Sequence, residues 1–101
     1  MTYTDVTMVR IYLTEGDRLL HRLLGHLHDT ERVMGVTVFR GTAGFGRSGK
    51  IHGEGIVDIA FDLPLVVEFF DTPERVEEVL GGIEGWLGPG HVVQWPARVN
   101  A

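Results

Sequence analysis

The chain changes hydrophobic rhythm several times. From Val6 to Thr14, apolar Val6, Met8, Val9, Ile11 and Leu13 are interspersed with Thr7, Arg10 and Tyr12. A period near two predicts a strand, and the imperfect alternation suits one covered on one face and partly on the other. Glu15-Gly16-Asp17 breaks the pattern. From about Asp17 to Glu31 the rhythm is helical: Leu20, Leu23, Leu24 and Leu27 follow i, i+3, i+4, i+7, and Leu19 widens the stripe. Asp17 complements the positive end of the helix dipole. Gly25 costs a helix up to about 1 kcal/mol relative to Ala, so close packing or slight fraying is expected there.

Gly35 to Arg40 is rich in β-branched and aromatic residues and reads as a second strand. A glycine-dense stretch, Gly41 to Gly55, follows. Ile56 to Asp62 alternates again, with Val57, Ile59 and Phe61 on one side. Leu65 to Phe70 is an apolar strand interrupted by Glu68. Asp71-Thr72-Pro73-Glu74 is a helix start, in which Thr72 or Asp71 can cap and Pro73 fits the first turn. Val76, Val79, Leu80, Ile83 and Leu87 form its buried stripe, and Gly88-Pro89-Gly90 is expected to end it. His91 to Trp95 is a last strand, with Pro96 closing it or marking an edge. The order is that of an α+β, ferredoxin-like split βαβ sandwich (βαββαβ), with a long loop or extra hairpin between the second and third core strands. Residues 1–101 are expected to form a single domain. The helices cover one sheet face only, so the other invites a partner subunit.

Composition narrows the function. Nine basic residues are scattered through a chain of net charge −5, which disfavours nucleic acid. No apolar run approaches the roughly 18 residues of a spanning helix, and the polar start, Met1 to Asp5, carries no signal peptide. The expected location is the cytoplasm, with no membrane insertion. The absence of cysteine removes thiol nucleophiles and zinc–thiolate sites.

The glycine segment holds two decoys. Gly44, Gly46 and Gly49 spell G-x-G-x-x-G, but no helical pattern follows. Gly44 to Lys50 also opens a P-loop, yet Ile51 stands where a magnesium-binding Ser or Thr belongs. What survives is a run of backbone N–H groups near Arg47, Ser48, Lys50 and His52, which is anion-binding chemistry. A hairpin tip with solvated charges is the plainer alternative. His21 and His28 lie two turns apart, about 10 Å, too far for one ion, and the histidines of the first helix read as solvated surface groups. His52 and His91 could flank one ligand if their segments meet in an assembly. Nothing marks a nucleophile, and no catalytic or metal site is assigned.

Several segments then become familiar. Gly35-Val36-Thr37-Val38-Phe39-Arg40-Gly41, Ala43-Gly44-Phe45-Gly46, Lys50-Ile51-His52 and Asp62-Leu63-Pro64-Leu65-Val66-Val67-Glu68 resemble the hallmarks of the domain of unknown function 190 family, within the PII-like superfamily. Arg10-Ile11-Tyr12 and Glu15-Gly16-Asp17 resemble its opening. The resemblance implies a homotrimeric signalling protein with sheets facing inward and a T-loop-like segment after the second strand. It further implies nucleotide binding in intersubunit clefts and a small membrane channel as possible partner. Candidate ligand-binding residues are Arg40, Gly41, Gly44, Phe45, Gly46, Arg47, Ser48, Lys50, His52 and His91. The chain departs from PII proteins at Glu84 to His91: the glycine spacing persists at Gly85, Gly88 and Gly90, but His91 stands where a phosphate-gripping Lys would be. Leu65 likewise replaces a Lys. The implied ligand is therefore a small anion or nucleotide held with modest affinity; no cofactor is identified. Two other classes share the fold: a barrel enzyme of the monooxygenase or isomerase type with a histidine acid/base, and a trimeric metal-tolerance protein similar to CutA.

Overall fold

The computed structural model describes residues 1–14, 18–45, 51–53 and 63–101, the third segment as backbone only. Strand β1 (Tyr3–Thr14) leads into helix α1 (Leu19–Gly25), which continues as a π-helical turn, His26–Thr30. Strand β2 (Gly35–Arg40) is followed by a small hairpin, β3 (Ala43–Phe45) and β4 (Ile51–Gly53). Then come β5 (Pro64–Asp71), α2 (Pro73–Gly81), a 3-10 turn (Glu84–Trp86) and β6 (Val92–Asn100). The main sheet is antiparallel with order β2-β5-β1-β6. This is the expected ferredoxin-like arrangement, with the extra hairpin between the second and third core strands.

Alternation sorts the strands into two faces. Val9, Ile11 and Leu13 of β1 and Leu65, Val67 and Phe69 of β5 are buried against Leu23 and Leu27 of the first helical segment and Val76, Val79 and Ile83 of the second. The opposite face carries cross-strand rows: Trp95, Met8 and Phe70; Val93, Arg10 and Glu68; and Tyr12, Val66 and Phe39. Among the described residues no helix lies over it. Tyr12, Phe39 and Val93 are exposed there. At its centre Arg10 Nε donates to Glu68 Oε2 at 2.6 Å, and its guanidinium lies 5.5 Å from the Trp95 ring centre. The Glu68 bond raises the Arg10 pKa above its ordinary value.

Beyond one-residue shifts at both ends of β5 and at the start of β6, four boundaries differ from the sequence expectation. β1 starts at Tyr3 rather than Val6, because β6 runs on to Asn100 and pairs with it. β6 passes through Pro96, which the ladder tolerates on an edge strand. α1 departs from α geometry after Gly25, where Glu31 N donates five residues back to His26 O at 2.9 Å. The connection to β2 then uses Arg32 in the left-handed region, φ 52°. α2 ends at Gly81, well before Gly88: Gly81 and Gly82 each weaken the helix by about 1 kcal/mol, so the apolar stripe continues past the helix itself. Thr72 is the N-cap, its Oγ1 accepting from Arg75 N at 3.3 Å. Buried Asp71 accepts instead from Thr72 N and Met34 N, tying the start of α2 to the start of β2. The expected strand from Ile56 to Asp62 lies outside the described residues, as do Glu15, Gly16 and Asp17.

Candidate functional site

The base of the glycine segment is built on close backbone approach. β2 ends at Arg40, and Gly41 N donates to Pro64 O at 2.7 Å, extending the ladder one step beyond the strand. A methyl group on Gly41 would sit 2.6 Å from Pro64 Cγ, and one on Gly44 3.4 Å away. Only glycine fits the first position, and Pro64 thereby fixes where the β3–β4 hairpin leaves the sheet. Gly44 pairs with His52 and Phe45 with Ile51; the Phe45 side chain is 77% exposed. Arg40 lines a small open hollow of about 400 Å³ with Leu20, His21, Val38 and Leu65. Gly46, Arg47, Ser48 and Lys50 lie outside the described residues, and His52 is placed by its backbone alone.

His91 enters β6 from a turn whose last residue, Gly90, has φ 86°. Two bonds clamp it to β1: Tyr12 N donates to His91 O at 2.9 Å, and His91 Nδ1 lies 2.9 Å from Tyr12 O. A carbonyl oxygen only accepts, so Nδ1 carries the proton. Whenever the ring is neutral its lone pair is therefore on Nε2, and the residue is exposed.

The ladder gives the relation between these groups. Arg40 and Gly41 end β2, while His91 begins the chain of β6. Both lie at the sheet end where β1 finishes, but on the opposite edges formed by the described strands, with β5 and β1 between them. Three strand spacings separate the edges by about 14 Å. One subunit therefore does not bring His91 to the Arg40–Gly44 segment. A larger open hollow of about 880 Å³ lies between α1 and the β2 edge, lined by Leu24, Leu27, His28, Arg32, Val36 and Val38. It holds none of the ligand-binding candidates read from the sequence.

Below the Gly88–Gly90 turn is a cluster that sequence reading missed. The Arg22 guanidinium lies 3.9 Å from the Trp86 ring centre, and His26 packs edge-on against that ring at 5.4 Å. His26 is not a solvated surface group: its side chain is 12% exposed, and Nε2 is buried without a hydrogen bond, 3.5 Å from Glu31 Oε2. Arg75 Nη2 donates to Glu31 O at 2.5 Å, and Nη1 donates to Glu78 Oε2 at 2.6 Å. The Glu78 bond is the main cause raising the Arg75 pKa, opposed by burial. The cluster fastens the π turn to α2 and to the 3-10 turn that precedes His91. Trp86 and the closely spaced His26 and Glu31 were the available signals. His21 and His28 are exposed, as expected. Among the described residues no three His, Asp or Glu side chains converge as metal ligands would, and no helix is long and apolar enough to cross a membrane.

The family model of DUF190, described as an uncharacterized ACR, matches residues 6–99. The chain belongs to the DUF190 family. It is 30% identical over 77 residues to a UPF0166 protein of Methanocaldococcus jannaschii, covering 72% of this chain and 70% of that one. A UPF0166 protein of Aquifex aeolicus is 37% identical over 51 residues, covering 50% of this chain and 49% of the relative. The fold of this DUF190 chain is PII-like. CPII from Thiomonas intermedia K12, a nitrogen regulatory PII-like protein solved with ADP, AMP and bicarbonate, superimposes with TM-score 0.76 at 18% identity, over 99% of this chain and 92% of that one. The divalent ion tolerance protein CutA1 of Ehrlichia chaffeensis aligns at TM-score 0.59 and 9% identity, over 95% of this chain and 82% of that one.

Proposed function

We propose that this chain is a non-enzymatic PII-like regulatory subunit that works as a homotrimer and binds a small anion or nucleotide in the clefts between subunits. The observation that carries the reading is the division of the candidate site between opposite edges of the described sheet. A head-to-tail ring sets the β2 edge of one subunit beside the β6 edge of the next, the type of interface that closes into a cyclic oligomer. Arg40, Gly41, Gly44 and Phe45 then face His91 of the neighbour. The uncovered sheet face, apolar around the Arg10–Glu68 pair, supports the same assembly by turning inward. CPII of Thiomonas intermedia was solved bound to ADP, AMP and bicarbonate, which makes these suitable probes here.

Ligand occupancy biases the glycine segment, acting as a T-loop, between a form that docks a partner and one that does not; the shift is limited by the ligand's differential affinity for the two forms. A membrane channel as that partner rests on the family resemblance alone. The enzyme reading draws its acid/base from His52 or His91; His91 lies exposed at a sheet edge rather than inside an apolar pocket, and the His52 side chain lies outside the described residues.

Native mass spectrometry with and without ADP, AMP and bicarbonate tests the assembly, with a trimer and up to one ligand per cleft expected. Calorimetry on Arg47→Ala tests the site, with about tenfold weaker binding expected for the loss of one charge-assisted contact. A monomer or dimer at micromolar concentration, or binding unchanged by loss of Arg47, Lys50 and Arg40, overturns the reading.

A further inference from the structure

We infer that His91 is a specificity-determining residue that makes anion binding conditional on a proton: neutral, it offers the ligand an acceptor at Nε2, and only the protonated ring offers a donor. The inference rests on the intersubunit site proposed above and adds the rule by which that site selects charge. It follows from the clamp to Tyr12. The carbonyl oxygen of Tyr12 fixes the proton on Nδ1, so the tautomer with Nε2–H is disfavoured for as long as that 2.9 Å bond holds. A histidine free to exchange tautomers can turn an N–H toward a phosphate at any pH. Held in this way, the neutral ring meets an anionic oxygen lone pair to lone pair. Protonation reverses the contact to a charge-assisted hydrogen bond and adds one positive charge to a chain of net charge −5.

Across the proposed cleft His91 faces the neighbour's Arg40, whose charge favours an anion at either pH; within its own subunit the described neighbours are these. Among the described residues β6 is an edge strand, with β1 as its neighbour in the sheet. The titratable groups on the adjacent β1 positions are Tyr12, whose carbonyl holds the ring, and Arg10, which is bound to Glu68 and stays charged. The turn before His91, Leu87-Gly88-Pro89-Gly90, carries no ionisable side chain. Glu15 and Asp17, further along the chain from β1, lie outside the described residues.

Two variants separate the parts of the argument. His91→Asn keeps an N–H that reaches the Tyr12 carbonyl but removes the far nitrogen. His91→Lys supplies a charge that persists across the imidazole range. ADP is titrated calorimetrically into each protein at about pH 5.5 and about pH 8, either side of the imidazole range. The terminal phosphate titrates near pH 6, so wild-type affinity is read relative to His91→Lys at the same pH. The expected result is a relative affinity that falls about tenfold on raising the pH, a charge-assisted contact being lost. His91→Asn is weak at both values. Wild type and His91→Asn following one curve overturns the inference while leaving the nucleotide site intact. No heat from any protein at either pH removes the nucleotide reading, and this inference with it. A readout independent of binding is the imidazole ¹⁵N spectrum of the wild-type protein: at about pH 8 the Nδ1–H tautomer of His91 is expected, and the Nε2–H tautomer overturns the mechanism.

Discussion

Gly41→Ala isolates the contact that sets the hairpin on the sheet. The added Cβ would lie 2.6 Å from Pro64 Cγ and 3.3 Å from Pro64 O. Unstrained carbon pairs sit about 3.5–4.0 Å apart, so one side must yield by roughly 1 Å. The Pro64 ring is stiff and belongs to β5, paired with Thr14. The movement therefore falls on residue 41, and the 2.7 Å bond from its N–H to Pro64 O is stretched with it. Overpacking of this kind costs about 1–3 kcal/mol, and the weakened hydrogen bond adds about 0.5–1.5 kcal/mol. For a domain of about 100 residues each kcal/mol lowers the melting midpoint by about 4–8 °C, so a loss of about 5 °C or more is expected. Gly85→Ala is the control, because nothing lies within 4 Å of the position its methyl would take; its midpoint should stay close to wild type. Calorimetric scans at one protein concentration keep any assembly contribution equal across the three proteins. Equal midpoints for Gly41→Ala and Gly85→Ala would refute the argument that Pro64 excludes a side chain.

Asp71→Ala leaves the N–H groups of Thr72 and Met34 without their acceptor in a site where Asp71 is 6% exposed; a loss of about 2–3 kcal/mol is expected from urea unfolding. Trp86→Ala removes the ring between Arg22 and His26 and should cost about 2 kcal/mol or more, with amide exchange rising around Gly88 to His91. Met8→Glu places a second carboxylate on the uncovered sheet face close to Glu68; native mass spectrometry should show the assembly dissociating while circular dichroism keeps its β signal. An intact assembly would remove that face from the interface.

The element order was legible because the chain changes period cleanly. Alternation at Val9, Ile11 and Leu13 and the leucine stripe at Leu20, Leu23, Leu24 and Leu27 each match one geometry only. Boundaries were less legible where a side-chain pattern outlasts its backbone. Ile83 and Leu87 continue the spacing of Val76 and Val79 into the core, yet the Gly81-Gly82 pair had already ended α2. The π turn after Gly25 left no period to read, since it depends on where His26 and Glu31 meet Trp86 and Arg75. The site was legible as residue types and not as geometry. Gly41 is 23 positions from the Pro64 that restricts it, and the tautomer of His91 depends on a carbonyl 79 positions away. Such contacts belong to the sheet register, which no local spacing encodes.

The separation of Arg40 and His91 onto opposite edges of one sheet has a genetic consequence. If each cleft draws one group from each of two subunits, two damaged copies can repair one another. A chain lacking Arg40 and a chain lacking His91 should each bind poorly alone. Co-expressed, they should recover binding in those clefts where the intact β2 edge of one meets the intact β6 edge of the other. A chain carrying both changes should instead behave as a dominant poison, spoiling clefts on both of its flanks.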